Sequence, residues 1–118
     1  MRRLLSLAAV AALAAGMAPA SAADPTAGIN VAQCTVAFTG NGDDDLRVCN
    51  YIPISSAATL AISGTSANKW AQVDCLTGSS PRISSGIIRI KQTPGDYCTL
   101  HLYIGDFGSA RASADSRL

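Results

Sequence analysis

The residues that could perform chemistry in this chain of 118 residues are few and scattered. His101 is the single histidine, and all eight acidic residues are aspartates. General acid–base catalysis usually draws on histidine or on a carboxyl group with a raised pKa. The sequence also lacks the G-x-S-x-G pattern of a nucleophile elbow. We therefore expect a protein that is not an enzyme, and a small secreted hydrolase is only the third hypothesis.

The cysteines offer no metal site in this pattern. No C-x-x-C pair occurs, and a single histidine cannot complete a zinc site. We therefore expect neither a metal ion nor another cofactor. An even number of cysteines in a short exported chain is typical of disulfides, so four cysteines predict two bridges: Cys34, Cys49, Cys75 and Cys98.

The amino-terminal segment has the pattern of a secretory signal peptide. Arg2 and Arg3 precede an apolar run over residues 4–17, and Ala20–Ala22 forms the small-residue cleavage site. The run is shorter than the ~20 apolar residues that a membrane span needs. We expect residues 1–22 to be removed, leaving a secreted, extracellular protein without a membrane span.

Length and charge limit the remaining possibilities. The chain has room for one domain, which we place at residues 23–105, and residues 106–118 read as a flexible tail because they are polar and small. A formal net charge of +1 provides no basic patch for a phosphate backbone, so nucleic-acid binding is not expected. The sequence does not indicate an oligomeric state.

The chain after the signal peptide reads as strands throughout. Short runs of β-forming residues are separated by Gly, Ser, Asn, Asp and Pro, which favours a small antiparallel β-sandwich of six or seven strands, with a barrel as the alternative. The predicted strands are 29–38, 46–54, 58–63, 69–76, 83–92 and 97–104.

Four cysteines allow three pairings, and two patterns favour one of them. Cys34 and Cys49 are symmetric about Asn41-Gly42, a strong hairpin signal, so we predict a bridge across a hairpin. The remaining pair is Cys75 with Cys98, and strict alternation places both on apolar strand faces.

The polar faces of the strands provide a candidate binding surface. A Cys75–Cys98 register in paired strands would set Trp70 opposite Tyr103 and Gln72 opposite His101. A hairpin turning at residues 93–96 would add Arg89 opposite His101. Flat aromatic rings among amides and a guanidinium suit a sugar or a protein partner. The predicted ligand-binding residues are Trp70, Gln72, Arg89, His101 and Tyr103, with Tyr97 at the margin.

This pattern predicts a secreted binding protein for an extracellular polysaccharide or protein. A different role for Trp70 is core packing, because aromatic residues are scarce in this chain. The second functional hypothesis is a secreted protease inhibitor. In it, a Gly/Ser/Pro loop after Cys75 would present Pro81, Arg82 and Ile83 to a protease, with Arg82 filling an acidic pocket.

Overall fold

The structure, a computed structural model, describes residues 31–117, so the predicted signal peptide and residues 23–30 of the predicted domain lie outside the described part. Alternating apolar and polar residues produce eight strands in this part of the chain and no helix. The strands are β1 (Gln33–Asn41), β2 (Asp45–Tyr51), β3 (Ala57–Ser63), β4 (Lys69–Cys75), β5 (Gly78–Ser79), β6 (Gly86–Lys91), β7 (Cys98–Ile104) and β8 (Phe107–Asp115).

The strands form two antiparallel sheets of four strands each. The first sheet has the order β1-β8-β3-β6, and the second has the order β2-β7-β4-β5. No strand pair in residues 31–117 joins the two sheets into a closed barrel. The predicted all-β sandwich with two disulfides is therefore confirmed.

The core lies between the inward faces of the two sheets. Leu60 and Ala112 cover it from the first sheet, and Leu100 and Leu102 cover it from the second. Each fully buried Leu or Ile side chain contributes about 1.5–3 kcal/mol to the free energy of unfolding. No helix in residues 31–117 is long and apolar enough to cross a membrane.

The Cys34–Cys49 disulfide is present, but the predicted hairpin around it is wrong. β1 pairs with β8 and β2 pairs with β7, so the bridge joins the two facing sheets, with 6.1 Å between the Cα atoms. Residues 42–44 form a corner between the sheets, with Gly42 at a φ of 100°. Cysteines symmetric about a tight turn fit such a corner as well as a hairpin.

The Cys75–Cys98 disulfide follows the predicted register. The two cysteines are direct partners in the β4–β7 pair, with 4.1 Å between their Cα atoms. Both cysteines therefore belong to one sheet. The bridge fixes the alignment of these strands and of every side-chain pair along them.

The predicted tail is wrong for residues 107–115. These residues form β8, an inner strand of the first sheet between β1 and β3. Its small residues alternate: Ala110, Ala112 and Ala114 are buried, while the polar side chains between them face outward. Alanine looks weakly hydrophobic in a sequence, but it fits where two sheets approach closely.

Candidate functional site

The outward side of β4 and β7 carries four of the predicted ligand-binding residues. Trp70 pairs with Tyr103 and Gln72 pairs with His101, as the sequence predicted. Side chains alternate along a strand, so these four point away from the core while their neighbours, such as Ala71 and Leu102, are buried. All four are half-buried, so Trp70 is not a core residue.

Trp70 lies in a stack of three flat groups. Its ring is nearly parallel to the ring of Tyr103, with an angle of 14° and 5.4 Å between the ring centres. The guanidinium carbon of Arg82 lies over the Trp70 ring, 3.9 Å from its centre. Such a contact attracts a cation to the negative face of the ring.

The chain brings Arg82 to this place through a strand-like return. After β5 the backbone continues along the same edge of β4, where Ile83 and Ala71 exchange two hydrogen bonds of 2.9 and 3.0 Å. β7 occupies the other edge of β4. Trp70 is therefore flanked by Tyr103 on one side and by Arg82 on the other.

Gln72 supports the guanidinium. Its amide nitrogen donates to the Ser80 carbonyl at 2.9 Å, and its amide oxygen faces the Arg82 Nε at 3.5 Å, a long contact. We call Trp70, Gln72, Arg82, His101 and Tyr103 the Trp70 face.

An aspartate anchors the far end of the stack. The Tyr103 hydroxyl donates to Asp44 at 2.8 Å. This hydrogen bond, together with partial burial and the negative charge of Asp44, raises the pKa of Tyr103. Asp44 was not predicted as part of the site, because the corner that brings it beside β7 depends on how β1 and β2 pair.

The polar groups beside His101 do not form a catalytic triad. The carboxylate of Asp74 lies between its neighbours: one oxygen accepts a hydrogen bond from Ser79, and the other lies 3.4 Å from His101 Nε2. Activation of a serine needs the imidazole beside the hydroxyl, with the carboxylate behind it. Here the carboxylate of Asp74 lies between the Ser79 hydroxyl and the His101 imidazole.

Arg89 does not join this surface, so that part of the predicted site is wrong. β6 belongs to the first sheet, and Arg89 lies opposite Thr59 on β3. The turn at residues 93–96 is a corner between the sheets and not a hairpin, since β6 and β7 pair with different strands. Arg82 supplies the guanidinium that the sequence assigned to Arg89.

The segment predicted as an inhibitory loop is held against the sheet. Ile83 is half-buried, and Ser80 binds Val73 through both its backbone nitrogen (2.8 Å) and its hydroxyl (2.9 Å). Pro81 and Arg82 are exposed, but the Arg82 guanidinium folds back over Trp70. Arg82 and Trp70 belong to two different predicted sites, and the structure brings them into contact.

One group of possible metal ligands lies close together in residues 31–117. It consists of Cys75, Asp96 and Cys98, and both cysteines are in a disulfide. Asp96 instead accepts hydrogen bonds from the Thr77 hydroxyl (2.6 Å) and from the backbone of Thr77 and Tyr97. The bond from the Thr77 hydroxyl is the main reason that the pKa of Asp96 is lowered.

Comparison with known proteins gives no relative. No family model, no curated protein and no solved structure matches this chain.

Proposed function

We propose that this protein is a small, secreted, non-catalytic binding protein. In this proposal, an extracellular polysaccharide or protein docks on the Trp70 face. The observation that carries the proposal is the stack of Tyr103, Trp70 and Arg82 on the outer side of a sheet.

Two physical arguments support this reading of the stack. Tyrosine, tryptophan and arginine offer large contact areas at a low entropic cost, and they dominate the binding energy of many interfaces. Side chains on paired strands are also held more firmly than side chains on loops. The Cys75–Cys98 bridge adds to this by fixing the register of β4 and β7.

The two disulfides are compatible with an oxidising, extracellular location. The signal peptide predicted at residues 1–22 lies outside the described residues, so secretion is part of the proposal. Mass spectrometry of the exported protein tests it, since cleavage after Ala22 would give an amino terminus at Ala23.

The experiment for the binding site uses Trp70 as its probe, because it is the single tryptophan of the chain. The purified protein is titrated with soluble polysaccharides and candidate extracellular proteins while Trp70 emission is followed. For any ligand found, calorimetry then compares Trp70→Ala with the control Arg89→Ala, which changes an exposed residue on the other sheet. We expect Trp70→Ala to weaken binding by about thirtyfold or more and Arg89→Ala to leave it unchanged.

Two outcomes would contradict the proposal. Equal affinity of the Trp70→Ala variant and the wild-type protein would place the binding site elsewhere. Stoichiometric inhibition of trypsin that disappears in Arg82→Ala would favour the protease-inhibitor hypothesis instead. We expect no such inhibition, because Arg82 would have to leave the Trp70 ring to enter a protease pocket.

A further inference from the structure

Arg82 carries a charge that no acidic side chain in residues 31–117 balances through an ion pair. The ion pairs in residues 31–117 join Arg47 to Asp45, Arg117 to Asp115 and His101 to Asp74. Arg82 instead contacts the Trp70 ring and the amide of Gln72. It is exposed, so its charge is accessible to a ligand.

The two aspartates of this surface have partners other than Arg82. Asp44 accepts the hydroxyl of Tyr103, and Asp74 accepts the hydroxyl of Ser79 and lies beside His101. Arg82 also leans along β4 towards Trp70, which is away from Asp74. The guanidinium is thus the positive centre of the face that still lacks a counterion.

Two contacts position the guanidinium before any ligand arrives. Its Nε faces Gln72 and its central carbon lies over the Trp70 ring, and within residues 31–117 the two terminal nitrogens have no hydrogen-bond partner and remain as a pair of donors. Such a fork matches the two oxygens of a carboxylate. A group fixed in advance loses little entropy on binding.

The surroundings favour a polysaccharide over a protein as the carrier of the carboxylate. The buried centre of a protein interface is more apolar than the rest of the surface and is depleted in aspartate. Of the large exposed apolar residues, Val31, Ile54, Ile87 and Phe107 are on other segments, while Leu76 and Tyr97 adjoin the ends of β4 and β7 that are remote from Trp70 and Tyr103. Beside Trp70 the face instead presents planar polar groups, Gln72 and His101, which suit sugar hydroxyls.

We infer that the Trp70 face binds a polysaccharide built from carboxylate-bearing sugars, with the Arg82 guanidinium holding one carboxylate. This inference rests on the proposed function and narrows its ligand to polyuronates. No covalent step is involved.

The test compares one polymer in two charge states. Polygalacturonate carries a carboxylate on each sugar, and its fully methyl-esterified form has the same backbone without charge. Calorimetry measures both against the wild-type protein, Arg82→Gln, Arg82→Lys and the control Arg89→Gln. Near-ultraviolet circular dichroism verifies that each variant is folded.

We expect the acid form to bind the wild-type protein, with affinity falling as salt is added. Methyl esterification and Arg82→Gln should each weaken binding by about tenfold to hundredfold, the effect of losing a charged hydrogen-bonded pair. Arg82→Lys should restore only part of the affinity, because an ammonium group lacks the planar fork. Arg89→Gln should bind like the wild-type protein.

Each other result overturns the inference. Equal binding of the acid and ester forms, or no loss in Arg82→Gln, would leave a polysaccharide-binding face that does not select carboxylates, so the proposed function would stand. Absence of saturable binding to polygalacturonate would exclude a polyuronate as the ligand. The proposed function would then be tested by the titrations with other polysaccharides and proteins. Tighter binding of poly-glutamate than of polygalacturonate would indicate that the ligand is an acidic protein segment and not a polysaccharide.

Discussion

The Arg82 guanidinium lies 3.9 Å above the centre of the Trp70 ring, although the two residues are twelve positions apart in the chain. The contact exists because the chain after β5 returns along β4, with Ile83 bonded to Ala71. It unites two features that the sequence presents as separate: an aromatic residue on a strand and a basic residue in a Gly/Ser/Pro segment.

Removing the Arg82 side chain should expose the Trp70 ring to water. In Arg82→Ala we expect a red-shifted Trp70 emission and faster quenching by acrylamide than in the wild-type protein. The free energy of unfolding should fall by no more than about 1 kcal/mol, since exposed cation–π contacts contribute about 0.5–1 kcal/mol. Arg89→Ala is the control, and unchanged quenching in Arg82→Ala would mean that the guanidinium does not cover the ring in solution.

The correct parts of the sequence prediction rest on local patterns. Alternation along β4 and β7, together with one cysteine in each strand, determines the register that pairs Trp70 with Tyr103. The choice of neighbouring strands is not local, because it depends on which sheet each strand joins. The symmetry of Cys34 and Cys49 about Asn41-Gly42 predicts a hairpin, whereas β1 pairs with β8, the segment that the sequence predicts to be a tail.

The predicted position of Arg89 is wrong because the choice of neighbouring strands is not a local property. The turn at residues 93–96 resembles a hairpin loop in the sequence, yet it lies in a six-residue connection between two sheets. Local turn chemistry is similar in both cases. The position of Arg82 beside Trp70 could not be predicted, because the single bridge between Ala71 and Ile83 leaves no periodic pattern in the sequence.

The two disulfides should have separable effects. Loss of either bridge, in Cys34→Ser/Cys49→Ser or in Cys75→Ser/Cys98→Ser, should lower the free energy of unfolding by about 2–4 kcal/mol. Of the two bridges, Cys75–Cys98 is the one that joins β4 to β7, so its loss should also alter Trp70 emission and the near-ultraviolet circular dichroism. Denaturant titration and spectra of both variants provide the measurement. An equal change in Trp70 emission on loss of Cys34–Cys49 would contradict this assignment.

The segment after Gly105 should be required for folding. Deleting residues 107–118 removes β8 from between β1 and β3 and exposes the unpaired edges of both strands. We expect this truncated protein to show no cooperative thermal transition and to aggregate. Deleting residues 117–118 is the matched control and should preserve the transition. If the protein ending at Asp106 still folded, residues 107–118 would be dispensable, as expected of the tail that the sequence predicts.

Ser116 should account for part of the stability that the carboxyl-terminal segment provides. Its buried hydroxyl donates to the Ala32 carbonyl at 2.7 Å and accepts from the Ile54 nitrogen at 3.1 Å. In Ser116→Ala the Ile54 nitrogen loses this acceptor, while the Ala32 carbonyl keeps the Ser116 backbone nitrogen as a donor, so we expect the free energy of unfolding to fall by about 1–2 kcal/mol. Chemical denaturation measures the change. Ser113→Ala, on the outer side of β8, should have little effect by comparison.

Asp96 should make stability depend on pH in the acidic range. Hydrogen bonds from Thr77 and Tyr97 lower the pKa of its carboxyl group in the folded protein, so the unfolded chain takes up this proton first as the pH falls. The stabilisation is complete above the ordinary pKa of an aspartate and is lost as the pH falls through the lowered value. Denaturant titrations from about pH 6 to about pH 3 should therefore show the difference in unfolding free energy between wild type and Asp96→Asn shrinking. Asp43→Asn, an exposed change at the corner after β1, is the control. A constant difference between wild type and Asp96→Asn would mean that the carboxylate gains nothing from these hydrogen bonds.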